Sequence, residues 1–108
     1  MSAVWIYLTA ASREEAVTIS RALVEEHLAA CANVFGDSRS FYWWEGKVED
    51  EPETVVVLKT RKELVDRLVV RVKQMHSYKC PCVIALPIQG GNVEYLAWIE
   101  AETMGDPH

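Results

Sequence analysis

Twice in this chain an apolar run of β-rich residues leads, a few positions on, to a hydroxyl residue with a glutamate three places later and then an amphipathic stretch. Val4-Trp5-Ile6-Tyr7-Leu8 precedes Ser12-Arg13-Glu14-Glu15, and Val55-Val56-Val57-Leu58 precedes Thr60-Arg61-Lys62-Glu63. A continuous apolar run reads as a strand covered on both faces. The hydroxyl-x-x-Glu pattern is a capping box, in which the hydroxyl accepts from a first-turn amide while the glutamate reaches back to the amide of the cap residue. Two helices are therefore predicted to start after Ser12 and Thr60. Ala16, Ile19 and Leu23, and later Leu64, Leu68 and Val72, recur at helical spacing, so each helix carries one apolar stripe to lay on a sheet. The fold class that follows is α+β.

A third pair of elements comes after these. Cys82-Val83-Ile84-Ala85-Leu86 reads as a strand, Gly90-Gly91 as a break, and Asn92 as the cap of a short helix through Tyr95, Leu96 and Ile99. Met104 to His108 reads as a frayed tail. Between the two halves, Ala32-Asn33-Val34-Phe35 and Ser40-Phe41-Tyr42-Trp43-Trp44 run into Glu45-Gly46 and out through Lys47-Val48-Glu49, a long β-hairpin with a glycine turn. Gly36-Asp37 within the first arm marks a bulge or bend. The order strand, helix, strand, strand, helix, strand, helix is the split βαβ arrangement of a ferredoxin-like sandwich with a protruding hairpin and an extra C-terminal helix.

The hairpin is too long for the domain. An arm of about 14 residues reaches ~46 Å, whereas a globule of this length has a diameter near ~34 Å. A ribbon that overhangs its own domain exposes unpaired backbone and the aromatic run Phe41-Tyr42-Trp43-Trp44, which is an aggregation hazard unless another subunit covers it. An obligate oligomer built partly by edge-strand pairing is expected, unless Gly36-Asp37 folds the arm back onto the local core. With 108 residues the chain, 1–108, reads as a single domain. Its 11 Lys and Arg against 16 Asp and Glu leave a net charge of -5, which argues against nucleic-acid or anionic-membrane partners. The first apolar stretch is too short for a membrane span and has no cationic lead, so a cytoplasmic, reducing location with free thiols at Cys31, Cys80 and Cys82 is expected.

No glycine-rich phosphate loop, Gly-x-Ser-x-Gly elbow or Cys-x-x-Cys pair occurs, and no enzyme activity is expected. The soft and borderline metal ligands are His27, Cys31, His76, Cys80 and Cys82, a set suited to copper or zinc. Cys80-Pro81-Cys82 would place two sulfurs on one face of a starting strand, with His76 just upstream at a helix end. The plainer reading makes Cys82 a small core residue, Cys80 an exposed thiol and His76 a cation at a helix C-terminus. His27 and Cys31 read more as packing than as ligands. A second candidate site is an intersubunit cleft lined by Trp43 or Trp44, Glu45, Lys47, Lys59 and Tyr78, with apolar walls and a few charges as a small-molecule pocket requires. Equally, Glu45 and Lys47 could be solvated turn residues and the tryptophans an assembly anchor.

Leu28-Ala29-Ala30-Cys31-Ala32-Asn33, Tyr42-Trp43-Trp44-Glu45-Gly46-Lys47, Leu58-Lys59-Thr60, His76-Ser77-Tyr78-Lys79-Cys80-Pro81 and Gly91-Asn92 with Tyr95-Leu96-Ala97-Trp98-Ile99, in this order, resemble the CutA family of divalent-ion tolerance proteins. The resemblance implies a ferredoxin-like protomer, a homotrimer formed through the long hairpins, a cytoplasmic location, a link to copper and other divalent metals, and no catalytic activity. Where copper ligands have been proposed in the family, the matching positions here are Leu8, Met75 and His76, so His76 carries over and Met75 offers a soft thioether, while Leu8 offers nothing. Such trimers also resemble PII-type signalling proteins. The readings in play are thus a metal-tolerance protein with copper at His76, Cys80, Cys82 and Met75, a small-molecule sensor, and a scaffold for an unknown protein partner.

Overall fold

The computed structural model describes residues 2–104. Strand β1 (Ala3–Ala10) runs into helix α1 (Arg13–Glu25), followed by the hairpin strands β2 (Cys31–Trp44) and β3 (Lys47–Arg61). A 3-10 turn (Lys62–Leu64) leads into helix α2 (Val65–Met75), then come strand β4 (Val83–Pro87) and helix α3 (Val93–Met104). The four strands form one sheet in the order β2-β3-β1-β4, antiparallel throughout. The frayed tail expected from Met104 onward is corrected at its first residue, which closes α3, and 105–108 lie outside the described residues. No helix among the described residues is long and apolar enough to cross a membrane.

Alternation along the strands sorts side chains onto two faces. Ile6, Leu8, Val56 and Leu58 are fully buried on one face, where Ile19 and Leu23 of α1 and Leu68 and Val72 of α2 complete the main core. The opposite face carries Trp5, Phe35, Ile84 and Leu86, all exposed and large, and α3 covers one end of it. There Ile99 packs with Ala3 and Ala30, and the Arg61 guanidinium donates to the Thr103 hydroxyl (3.1 Å) and carbonyl (3.0 Å).

The first capping box forms with one change. Ser12 Oγ accepts from the Glu15 amide at 3.1 Å, but Glu15 reaches back to the amide of Ala11, also at 3.1 Å, rather than to that of Ser12. The second does not form. Thr60 is a β3 residue paired with Val4, fully buried, and its hydroxyl donates to the Leu28 carbonyl at 2.7 Å. The apolar demand of the sheet outweighs the local cap, so α2 begins only at Val65 after the 3-10 turn. Asn92 does cap α3, accepting from the Glu94 amide at 3.0 Å.

The hairpin has arms of 14 and 15 residues closed by Glu45 (φ 50°) and Gly46 (φ 82°), the doubly left-handed geometry of a two-residue turn that follows the strand twist. At Gly36-Asp37 the register shifts between Phe35 and Ser38, with Asp37 at φ 62°, a bulge that bends the ribbon without ending it. Beyond it Ser38–Trp44 pair with Lys47–Glu53 and, among the described residues, with no other strand. The ribbon therefore overhangs the sheet, and the long dimension of the molecule is 43 Å against 30 and 22 Å for the others.

Candidate functional site

Where the ribbon leaves the sheet, a cavity of about 780 Å³ opens on the face away from α1 and α2. Tyr7 and Thr9 of β1 supply one side; Ser40, Tyr42, Trp43 and Trp44 of β2 supply another; the loop from Ser77 to Cys82 closes a third. Of the expected cleft residues, Trp43, Trp44, Glu45 and Tyr78 line this cavity. Lys47 and Lys59 do not line it. Lys47 sits across from Trp44 at the exposed turn. Lys59, opposite Cys31 at the far end of β3, donates to Asn33 Oδ1 at 2.9 Å and lies 6.0 Å from the Tyr95 ring centre.

The cavity also holds a residue that the sequence did not single out. Glu53 is only 8% exposed, its Oε1 accepting from Ser40 Oγ at 2.6 Å and its Oε2 from the Tyr78 hydroxyl at 2.9 Å. Burial first, and the Glu53 carboxylate second, push the Tyr78 hydroxyl far above the ordinary phenol range, so it stays a donor. In sequence Glu53 ends the run Glu49-Asp50-Glu51-Pro52, which looks like a solvated edge. Its parity with Val55 and Val57, both on the cavity side of β3, was the available signal.

The loop that brings Tyr78 to Glu53 is anchored from behind. Glu15 Oε2 accepts from the Ser77 amide at 2.6 Å and its Oε1 from the Ser77 hydroxyl at 3.1 Å. Burial works to raise the Glu15 pKa, but the two Ser77 donors and the Ala11 amide together hold it below its ordinary value of 4.5.

Of the expected metal ligands, Cys80 and Cys82 both line the cavity, while His76 and Met75 are engaged elsewhere. His76 has a fully buried side chain; its Nε2 meets the Thr9 carbonyl at 2.7 Å and its Nδ1 accepts from the Tyr78 amide at 3.0 Å. A carbonyl can only accept and an amide N–H only donate, so the ring is the Nε2–H tautomer with its lone pair already used. It is a structural pin between β1 and the loop, with its ring 4.9 Å from that of Tyr78, and not a free ligand. Met75 packs against the main core. Cys80 and Cys82 are exposed free thiols, but β4 starts at Val83, so strand alternation does not aim them. Desolvation first, and the Glu53 carboxylate second, raise the Cys82 thiol, which reduces its thiolate fraction near neutral pH. His27, at φ 60°, is the left-handed residue of the turn ending α1, with Leu28 N–H bonded to the Leu23 carbonyl and its own Nδ1 2.8 Å from the Glu102 carbonyl. Cys31 Sγ lies 3.5 Å from the Tyr95 hydroxyl. Among the described residues no group of three His, Cys, Asp or Glu side chains is placed to hold a metal ion, so they do not fit a dedicated copper centre.

Residues 4–102 match the family model described as CutA1 divalent ion tolerance protein. A solved structure of a divalent cation tolerance protein from Thermus thermophilus superposes with a TM-score of 0.92 at 42% identity, covering 94% of this chain and 98% of that one. One from Archaeoglobus fulgidus, named as the periplasmic divalent cation tolerance protein CutA, gives 0.90 at 46% identity over 94% of this chain and 98% of that one. A rice relative, Protein CutA 1, chloroplastic, is 43% identical over 91% of this chain but only 55% of its own length. The cytoplasmic location expected from the sequence is overturned by these names: proteins this similar are periplasmic in one organism and chloroplastic in another. With the family model spanning nearly the whole sequence and two relatives at 42% and 46% identity each superposing over 94% of the chain, the chain belongs to the CutA1 divalent ion tolerance family.

Proposed function

We propose that this chain is a non-enzymatic homotrimer of the divalent-metal tolerance response, with a ferredoxin-like protomer and only weak copper contact, made through Cys80 and Cys82. The observation that supports it most is the overhanging ribbon. Ser38–Trp44 and Lys47–Glu53 leave backbone groups and exposed aromatics, with Trp43 at 75% and Phe41 at 67%, in want of a covering surface. Trp5, Phe35, Ile84 and Leu86 on the open sheet face add apolar area for the same contact. The strand order β2-β3-β1-β4 with two helices on one face supports the ferredoxin-like description. For copper, the exposed sulfurs of Cys80 and Cys82 are the accessible soft donors, and His76 is already engaged.

Light scattering tests the assembly: three copies are expected, and a monomer refutes it. Titrating reduced protein with Cu(I) tests the ligands. Cys80→Ser with Cys82→Ser is expected to remove the weak binding, and binding unchanged in that double variant refutes the assignment.

A second reading is favoured by the cavity. A volume of about 780 Å³ with aromatic walls and convergent polar groups suits a small-molecule sensor, the PII-like alternative. Saturable binding of any small molecule that shifts the Trp43 and Trp44 signals supports it. A broad screen without one removes it.

A further inference from the structure

His76 is buried with no hydrogen-bonding position to spare. Its side chain has no exposed surface, Nε2–H donates to the Thr9 carbonyl at 2.7 Å, and the Nδ1 lone pair accepts from the Tyr78 amide at 3.0 Å. That arrangement holds only while the ring is neutral, since a protonated imidazole has two donors and no acceptor. A proton added at Nδ1 would sit where the Tyr78 N–H already points, and two N–H groups do not share a hydrogen bond. An acceptor stands beside that position: Glu15 Oε2 of α1 lies 3.9 Å from Nδ1. A carboxylate has about four acceptor positions, and the Ser77 amide, the Ser77 hydroxyl and the Ala11 amide fill the others, so one is open. His76 also closes α2, its amide donating to the Val72 carbonyl at 2.8 Å, and a helix C-terminus favours a positive charge. The other ionisable group against the ring is the Tyr78 phenol, 4.9 Å away between ring centres. From β1 the ring meets a backbone carbonyl, and it reaches Glu53 of the ribbon only through the Tyr78 hydroxyl.

We propose that His76 is a proton-driven latch on the loop that carries Tyr78. With the ring neutral, the Tyr78 amide is pinned on Nδ1 and its hydroxyl rests on Glu53 at 2.9 Å. With the ring protonated, Nδ1–H turns to Glu15, the Tyr78 amide loses its acceptor, and the phenol withdraws from Glu53. Ser77 stays on Glu15 through two hydrogen bonds, so the loop pivots after Ser77 rather than detaching. The pinned form prevails at higher pH, and the released form grows as pH falls through the range where histidines ordinarily charge, about pH 8 to 5. Glu53, only 8% exposed, then keeps Ser40 as its one donor among the described residues, so the change is felt where the ribbon leaves the sheet. The latch needs neither copper nor a bound small molecule, and it stands apart from both readings above.

Imidazole and amide NMR of the full chain in its native assembly reads each part between about pH 8 and pH 5. At the upper end the ring is expected as the Nε2–H tautomer. On acidification the Tyr78 amide is expected to shift with the same midpoint as the ring, and its protection factor to fall at least about tenfold while that of Ser77 is kept. In His76→Gln, whose side-chain amide can donate to Thr9 and accept from Tyr78 without titrating, the Tyr78 signals are expected to stay constant. In Glu15→Gln, which removes the charge facing Nδ1, the Tyr78 transition is expected at lower pH, by about tenfold in proton concentration. A Tyr78 amide that does not change, that changes with a midpoint different from that of the ring, or that still changes in folded His76→Gln overturns the latch. Should His76→Gln not fold, Glu15→Gln decides: a Tyr78 transition left at its wild-type pH overturns the latch, and a displaced one supports it.

Discussion

Replacing Glu15 with glutamine tests how the loop bearing Tyr78 is held. The side chain is 16% exposed and accepts from the Ser77 amide, the Ser77 hydroxyl and the Ala11 amide. Hydrogen bonds to a charged group contribute roughly 1.5–3 kcal/mol each. Glutamine keeps one carbonyl oxygen for the Ala11 and Ser77 hydroxyl contacts but sets an NH2 against the Ser77 amide, so a donor faces a donor. The expected cost is about 2 kcal/mol at neutral pH, the equivalent of one charged bond lost. The pH dependence has a definite sign. The folded pKa of Glu15 lies below its ordinary value of 4.5, so its contribution is complete above that value and is lost as pH falls through the folded pKa. The gap between wild type and Glu15→Gln should therefore be full at neutral pH and narrow steadily below about pH 4.5. Urea unfolding at fixed protein concentration measures it, concentration being held because assembly shifts the midpoint. A gap that is absent at neutral pH, or constant down to about pH 3, would refute the anchoring role of the ionised carboxylate.

At the hairpin turn, Gly46→Ala should lower stability by about 1 kcal/mol because φ is 82° there, while Glu45→Asn should raise the melting temperature slightly, asparagine tolerating the φ of 50° better. Thr60→Val removes the 2.7 Å bond to the Leu28 carbonyl and is expected to cost about 1–2 kcal/mol in urea unfolding, with faster amide exchange at Ala30, which donates to Lys59. His76→Ala should cost about 3 kcal/mol through the vacated space and the orphaned Thr9 and Tyr78 groups, yet leave copper affinity unchanged. A folded variant with lost copper affinity would restore His76 as a ligand.

Elements governed by local chemistry were legible in the chain. The Val4 to Leu8 run and the Ser12 cap needed no tertiary information, and the Glu45-Gly46 turn followed from the glycine, which takes left-handed backbone without strain. Where local and tertiary demands compete, the tertiary one wins. Thr60 has the spacing of a cap, but a sheet position beside Val4 buries it, and its hydroxyl is satisfied by a residue far away in sequence. His76 misleads for a related reason: at a helix end it looks like an exposed cation or a ligand, and only the packing of the loop on β1 reveals both nitrogens as engaged. Glu53 was hidden among acidic neighbours that face solvent, since its partners Ser40 and Tyr78 arrive from two other segments. Cys80 and Cys82 depended on where β4 begins, a boundary that Pro81 and a single residue decide.

The placement of β1 has a temporal consequence. It lies in the middle of the sheet, with Ala3 opposite Arg61 and Leu8 opposite Val83, so both of its neighbours are synthesised long after it. The β2–β3 ribbon can zip from its tight turn as soon as both arms emerge, whereas β1 must wait, apolar and unpaired, for distant partners. Nascent chains interrupted before β4 would thus present an adhesive central strand with one bare edge. Chaperone dependence should track the interval between completing β3 and completing β4.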